Sequence, residues 1–273
     1  MIELAPHHKY GLPLNNPVMI AGGMVGYGER LPAGLEPARL GALVIGPFMQ
    51  SSRAGAEPPR LAHVNGGVVL QTGLQNRGVN AAIKRFGRLW PDLGCPVIAQ
   101  IADSQPRMVA AVAERLAAAP GVLGVELLLP QHADVDLTVN LVKNAVRHCD
   151  LPVLVNLPLS MATGLAQVAV DEGAVALVVA QPAAGAAFTA TRQTLVHGSL
   201  FGPLTFAPML HTLAHVAAMG LGCPLVASGG IHTVEQARQA LAVGATALQI
   251  DSAVWVEPGL PGLIAAALEA GEE

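Results

Sequence analysis

Short apolar runs recur along the chain, and the gaps between most of them are long enough for one helix. They are "PVMIA" (17–21), "ALVIG" (42–46), "PVIAQI" (96–101), "GVELLL" (124–129), "PVLVNL" (152–157), "ALVVA" (176–180), "PLVAS" (224–228) and "TALQI" (246–250). Nearly continuous apolar character over a strand length is what a strand covered on both faces shows. The intervening stretches, such as "QPRMVAAVAERLAAA" and "TVEQARQALAVGA", are rich in alanine and place apolar residues near helical spacing. Eight such alternations predict a parallel (β/α)8 TIM barrel spanning residues 1–273 as one domain, with a doubly wound sheet as the alternative. Two segments depart from the alternation. Residues 1–16 form an N-terminal extension containing the turn "GLPLNNP", and residues 47–75 form a long insertion after the second strand. The insertion begins "PFMQSSRAGAEPPR", whose glycine, proline, serine and arginine predict a loop or hairpin over the face where barrels carry their sites.

The 52% hydrophobic content and mean hydropathy of +0.49 raise the question of a membrane. Runs such as "AVALVVA" are far below the roughly 20 residues that a spanning helix needs. The opening "MIELAPHHKYG" has neither the basic region nor the apolar region of a secretory signal, so a cytoplasmic protein is expected. A net charge of −4 without a basic cluster argues against nucleic acid, whose phosphates must be neutralised by Lys and Arg. Cys95, Cys149 and Cys223 each fall at or just before the start of a strand, the end of a barrel remote from its site, in a spacing that fits neither zinc nor disulfides. His211 and His215 have the i, i+4 spacing of a shared metal, but "HTLAHVAAMG" lacks the HExxH glutamate, so no metal is expected.

The clearest chemical pattern lies near the C-terminus. "VASGGIHTVEQARQAL" leads the seventh strand through Gly229 and Gly230 into a helix, and "LQIDSA" ends the eighth at Asp251 and Ser252. Barrels often bind phosphate with these two loops, because glycine lets backbone N–H groups approach the oxygens and a helix N-terminus adds favourable potential. A small molecule or a phosphate-bearing ligand is thus the expected partner. Asp251 opposes it, since two like charges at close range repel by a few kcal/mol at an effective dielectric near ~20.

Four stretches carry a resemblance: "GLPLNNPVMIAGGMVGYGE" (11–29), "EPPRLAHVNGGVVLQTGLQNRGV" (57–79), "HGSLFGPLTFAPML" (197–210) and "ASGGIHTVEQARQALAVGATALQI" (227–250). Together they resemble the class 1 dihydroorotate dehydrogenases, FMN-dependent β/α barrels that oxidise dihydroorotate to orotate. The resemblance implies FMN as cofactor, with the backbone of Ala21, Gly22 and Gly23 against the flavin ring and Gln100 where an asparagine contacts it. Asn156 would stand near the flavin pyrimidine, and Gly202, Gly229, Gly230 and Ser252 would line the ribityl phosphate. It also implies a homodimer, or association with a homologous partner.

The reacting half of that pattern differs. A lysine that usually ends the second strand falls on Gly46, and another, at the end of the fifth, on Asn156. The chain's lysines, Lys9, Lys84 and Lys143, close no strand. Two orotate-binding asparagines correspond to Leu70 and Gln181. The family's "N-x-S-C-P-N" aligns with Glu126, Leu127, Leu128, Leu129, Pro130 and Gln131, which puts leucine in place of the cysteine base. Taking a proton while hydride leaves requires an acid–base group, and leucine is none. Glu126, His132 and Gln181 are the candidate replacements. Glu126 and Gln181 sit near strand ends with Asn156, where a polar cluster would form, and His132 follows on the loop. Arg53, Arg60 and Arg77 flank the insertion, Arg60 as an anchor for it. Three readings stand: an FMN oxidoreductase of the family's type, a repurposed flavoprotein acting on another substrate, and a non-catalytic barrel serving as an oligomerisation or regulatory partner.

Overall fold

All eight apolar runs are strands: β1 (Val18–Ile20), β2 (Ala42–Phe48), β3 (Val97–Ile101), β4 (Val122–Leu128), β5 (Val153–Pro158), β6 (Ala176–Gln181), β7 (Leu225–Ser228) and β8 (Ala247–Ile250). The computed structural model describes residues 1–191 and 193–271. Every strand pairs in parallel with its sequence neighbour, and β8 returns to β1 through Leu248↔Val18 and Ile250↔Ile20. That closure makes a barrel and rules out the open doubly wound sheet.

Helices pack outside: α1 (Val79–Phe86), α2 (Pro106–Ala117), α3 (Val135–Arg147), α4 (Ala162–Asp171), α5 (Phe206–Ala218), α6 (Val234–Val243), α7 (Ala253–Val256) and α8 (Leu260–Glu269). Their starts are legible in the chain. Pro106 opens α2, where its missing N–H costs nothing. Asp134 and Thr233 cap α3 and α6 by accepting from Leu137 N and Gln236 N. Helix α2 buries Val109, Val112, Ala113 and Leu116 on the stripe facing the barrel.

The N-terminal extension closes the bottom. Ile2–Glu3 pairs antiparallel with Pro13–Leu14, and the Glu3 carboxylate accepts from Ala5 N and Leu12 N, which holds the turn together. Leu4, Leu12 and Leu14 are fully buried against Met19, Val44, Ile98, Leu154, Val178 and Val226. Gly124 makes room for this plug, since a Cβ there would lie 3.2 Å from Leu12 Cδ2. The three cysteines are free, and burial pushes the Cys95 thiol up to about 12, so it is not a thiolate at neutral pH.

At the opposite end the long insertion folds into a hairpin, Leu61–Val64 with Gly67–Leu70. A second excursion after β6 adds Ala184–Phe188 and Leu195–Phe201, and the two hairpins join into one four-stranded antiparallel sheet above the barrel. The second hairpin has no counterpart in the predicted elements. Its first strand reads "AGAAF", small residues with no strong alternation, and it is held chiefly by its neighbour. Arg60 anchors the insertion, donating from Nε to Ala56 O and from a terminal nitrogen to Gln75 Oε1 at 2.9 Å.

Candidate functional site

Between the strand ends and this sheet lies a cavity that opens to solvent. Its lower wall comes from the barrel: Ala21, Gly22 and Gly23 after β1, Pro47 in β2, then Gln100, Leu128, Asn156, Gln181, Ser228 and Gln249 from successive strands, with Asp251 after β8. Leu70, Thr72, Leu74, Ser199, Phe201 and Trp255 form the roof. No lysine, arginine or histidine is among these lining residues. An outer cleft shares the Leu70, Leu128 and Gln181 side of the cavity and adds Arg53 and His132, both exposed.

Glu126 is completely buried beneath the floor. Its Oε1 accepts from Gln100 Nε2 at 2.7 Å and Asn156 Nδ2 at 2.9 Å, and its Oε2 accepts from Gln249 Nε2. Burial pushes its carboxyl pKa above the ordinary range, against the lowering effect of the three hydrogen bonds. Three amides gathered round one acceptor must all turn their N–H groups inward. Their oxygens are then left over: Asn156 Oδ1 and Gln249 Oε1, on two cavity-lining residues, are buried without a protein partner. Gly22 is needed above the floor, because a Cβ there would fall 2.2 Å from Gln100 Nε2.

Gln181 serves the backbone. Its Nε2 donates to Leu129 O at 2.7 Å and Asn156 O at 2.8 Å, while its Oε1 accepts from Gln131 Nε2 at 3.0 Å. Leu129 is 1% exposed and belongs to the main core, so the hydrocarbon facing the cavity at this point is Leu128. Gly46 has φ +125°, and a Cβ would lie 3.0 Å from Gln100 O and 3.1 Å from the Phe48 ring, so no longer side chain suits it.

The expected phosphate loop has its glycines in place, with φ +115° at Gly229 and +71° at Gly230. A Cβ at Gly230 would meet Phe206 N at 2.3 Å. Asp251 occupies the loop's open side. It is 2% exposed, its Oδ2 accepts from Gly230 N at 3.4 Å, and its Oδ1 accepts from Ser252 Oγ at 3.2 Å. His232 Nε2 lies 3.3 Å from Ser252 Oγ, completing a closed group. Burial raises the Asp251 pKa and lowers that of His232, so each is pushed towards its neutral form. Asp251 reaches the cavity, whereas Gly202, Gly229, Gly230 and Ser252 are absent from its lining.

A closed (β/α)8 barrel with a polar-floored cavity at the C-terminal strand ends defines the class of small-molecule site that such barrels carry. Residues 7–270 match the family model described as Dihydroorotate dehydrogenase, and the chain belongs to that family, in its class 1 group. It is 30% identical over 275 residues to a dihydroorotate dehydrogenase B (NAD(+)), catalytic subunit, of Desulforudis audaxviator, covering 95% of this chain and 89% of that protein. Similar proteins of the same name are found in Geobacter sulfurreducens (30% over 276 residues, 95% and 90% coverage) and Streptococcus pneumoniae R6 (28% over 270 residues, 91% and 86%). The crystal structure of a dihydroorotate dehydrogenase in complex with ferulenol from Eimeria tenella superposes with a TM-score of 0.76, covering 99% of this chain and 88% of that one at 15% identity; this likeness concerns the fold. Among the described residues no helix is long and apolar enough to cross a membrane.

The family is FMN-dependent, and the residues here meet that group unevenly. The Ala21–Gly23 backbone and the polar side chains of the floor suit a flat heterocycle with polar edges. The phosphate end does not fit, since a buried carboxylate already holds the Gly230 N–H. Gln249 escaped the sequence reading. Its only signal was a lone amide inside an otherwise apolar strand, "ALQI".

Proposed function

We propose that this chain is a dihydroorotate dehydrogenase-family barrel that receives a flavin-type ring in its mouth without oxidising dihydroorotate. The observation that carries the reading is the cavity wall. Leu128 faces the space, Leu129, which the resemblance puts in place of the family's base, has its side chain in the core, and among the described residues no cationic side chain lines the cavity. A hydrocarbon cannot accept the proton that must leave as hydride departs. An orotate anion would find no countercharge, and the nearest ionisable groups are the acids Glu126 and Asp251. His132 lies in the outer cleft, exposed and outside the inner wall, so it adds no base beside the ring.

Purified protein loaded with flavin and mixed anaerobically with dihydroorotate tests this. The visible flavin band is expected to persist, with reduction slower by about 10²–10⁴-fold or more than in an active family member, the range a positioned acid–base group supplies. Bleaching at an ordinary catalytic rate would overturn the reading. The same proposal includes a cytoplasmic, self-associating protein. Equilibrium sedimentation showing monomer at every concentration would remove self-association.

A further inference from the structure

We propose that the Asp251 carboxyl fills the barrel's phosphate loop, and that the cavity selects a ligand without a phosphate group: a heterocycle with an uncharged, hydroxyl-bearing tail. This rests on the flavin-ring reading above and specifies the form of the ligand. Loops after the seventh and eighth strands bind phosphate by turning backbone N–H groups at the oxygens. Here Gly230 N–H is directed at Asp251 Oδ2, and the Ser252 hydroxyl, which would otherwise donate to a ligand oxygen, is donated to Asp251 Oδ1. His232 approaches that hydroxyl from the other side. These two donors of the loop are therefore spent within the chain. Asp251 and Ser228 line the cavity, and the amides of Asn156 and Gln249 continue its polar floor. A phosphate group entering would find the Asp251 carboxyl where its own oxygens would sit and, among the described residues, no cation on the wall. A hydroxyl can donate to the same carboxyl.

Riboflavin and FMN differ by that phosphate alone and make the test. Quenching of flavin fluorescence is titrated with the full chain as wild type, Asp251→Asn and Asp251→Gly, each checked for folding by circular dichroism. Wild type is expected to prefer riboflavin over FMN by about tenfold or more, and Asp251→Gly to shift the ratio towards FMN by about a hundredfold, because both the charge and the blocked N–H are removed. Asp251→Asn removes the charge while still occupying Gly230, and is expected between the two. Inorganic phosphate supplies an arm independent of flavin: it should raise the melting temperature of Asp251→Gly and leave wild type unchanged. FMN binding wild type more tightly than riboflavin, or a ratio unmoved in a folded Asp251→Gly, overturns the inference. If neither flavin binds the wild type, the flavin reading falls. Phosphate stabilising only Asp251→Gly would still support the Asp251 carboxyl as the loop's occupant, and phosphate stabilising wild type equally would refute it.

Discussion

Truncating Glu126 to alanine removes the acceptor of three amide N–H groups at once. A buried donor left without a partner costs about 1–3 kcal/mol. All three line the cavity, but Gln249 is 0% exposed and sits at the upper end, whereas Gln100 and Asn156 are each 5% exposed and can turn towards water. The expected loss is about 3–5 kcal/mol, a large part of the roughly 5–15 kcal/mol that holds a typical domain together. Glu126→Gln keeps the volume and removes the charge. Gln249 can rotate to give its unpartnered Oε1 to the new N–H, so this variant should lie within about 1 kcal/mol of wild type near neutral pH. The two substitutions also differ in pH dependence. Burial raises the Glu126 pKa, so the folded protein keeps this proton at pH values where the unfolded chain has lost it. The group's stabilising contribution is complete below its unfolded pKa of about 4.3 and is lost as pH rises through the folded value. Wild type should therefore lose stability relative to Glu126→Gln as pH rises above the unfolded value of about 4.3, as measured by urea unfolding with linear extrapolation. An alanine variant as stable as wild type, or a wild-type-to-glutamine difference that does not change with pH, would refute the buried carboxylate as organiser of the floor.

Other substitutions test the frame around the site. Leu12→Ala, emptying the plug at the barrel bottom, should cost about 3–5 kcal/mol in urea unfolding, since the residue is fully buried among the strand interiors; a loss below about 1 kcal/mol would mean the extension is not part of the core. Gly46→Lys, which returns the family's residue type, should destabilise the fold by about 2 kcal/mol or more and leave dihydroorotate turnover absent, because φ is +125° and the Cβ is crowded by Gln100 O and the Phe48 ring. Gly22→Ala should cost about 1–3 kcal/mol by displacing the Gln100 amide from Glu126, and its effect should shrink sharply in a Gln100→Ala background, a coupling read from a double-mutant cycle.

Much of the architecture was open to inspection in the chain. Eight apolar runs at strand length, separated by alanine-rich amphipathic stretches, specify buried parallel strands because only a sheet covered on both faces accepts such runs. Pro106, Asp134 and Thr233 mark helix starts by chemistry that acts within a few residues. Glu126, Asn156 and Gln181 were visible as polar residues near strand ends for the same local reason. What lay beyond reach was the partner of each polar group. That Gln249 on β8 meets Glu126 on β4, 123 residues away, follows from closure of the barrel. The second hairpin, with its run of small residues, becomes a strand only by pairing with Leu195–Phe201 and joining the sheet of the insertion. Likewise the sequence put Asp251 beside a glycine loop, but whether its carboxylate would face a ligand or take the loop's N–H depended on burial and on the position of Gly230. Periodicity and capping act between near neighbours and so survive in one dimension; the pairing of buried donors and acceptors is settled only when distant strands meet in a space without water.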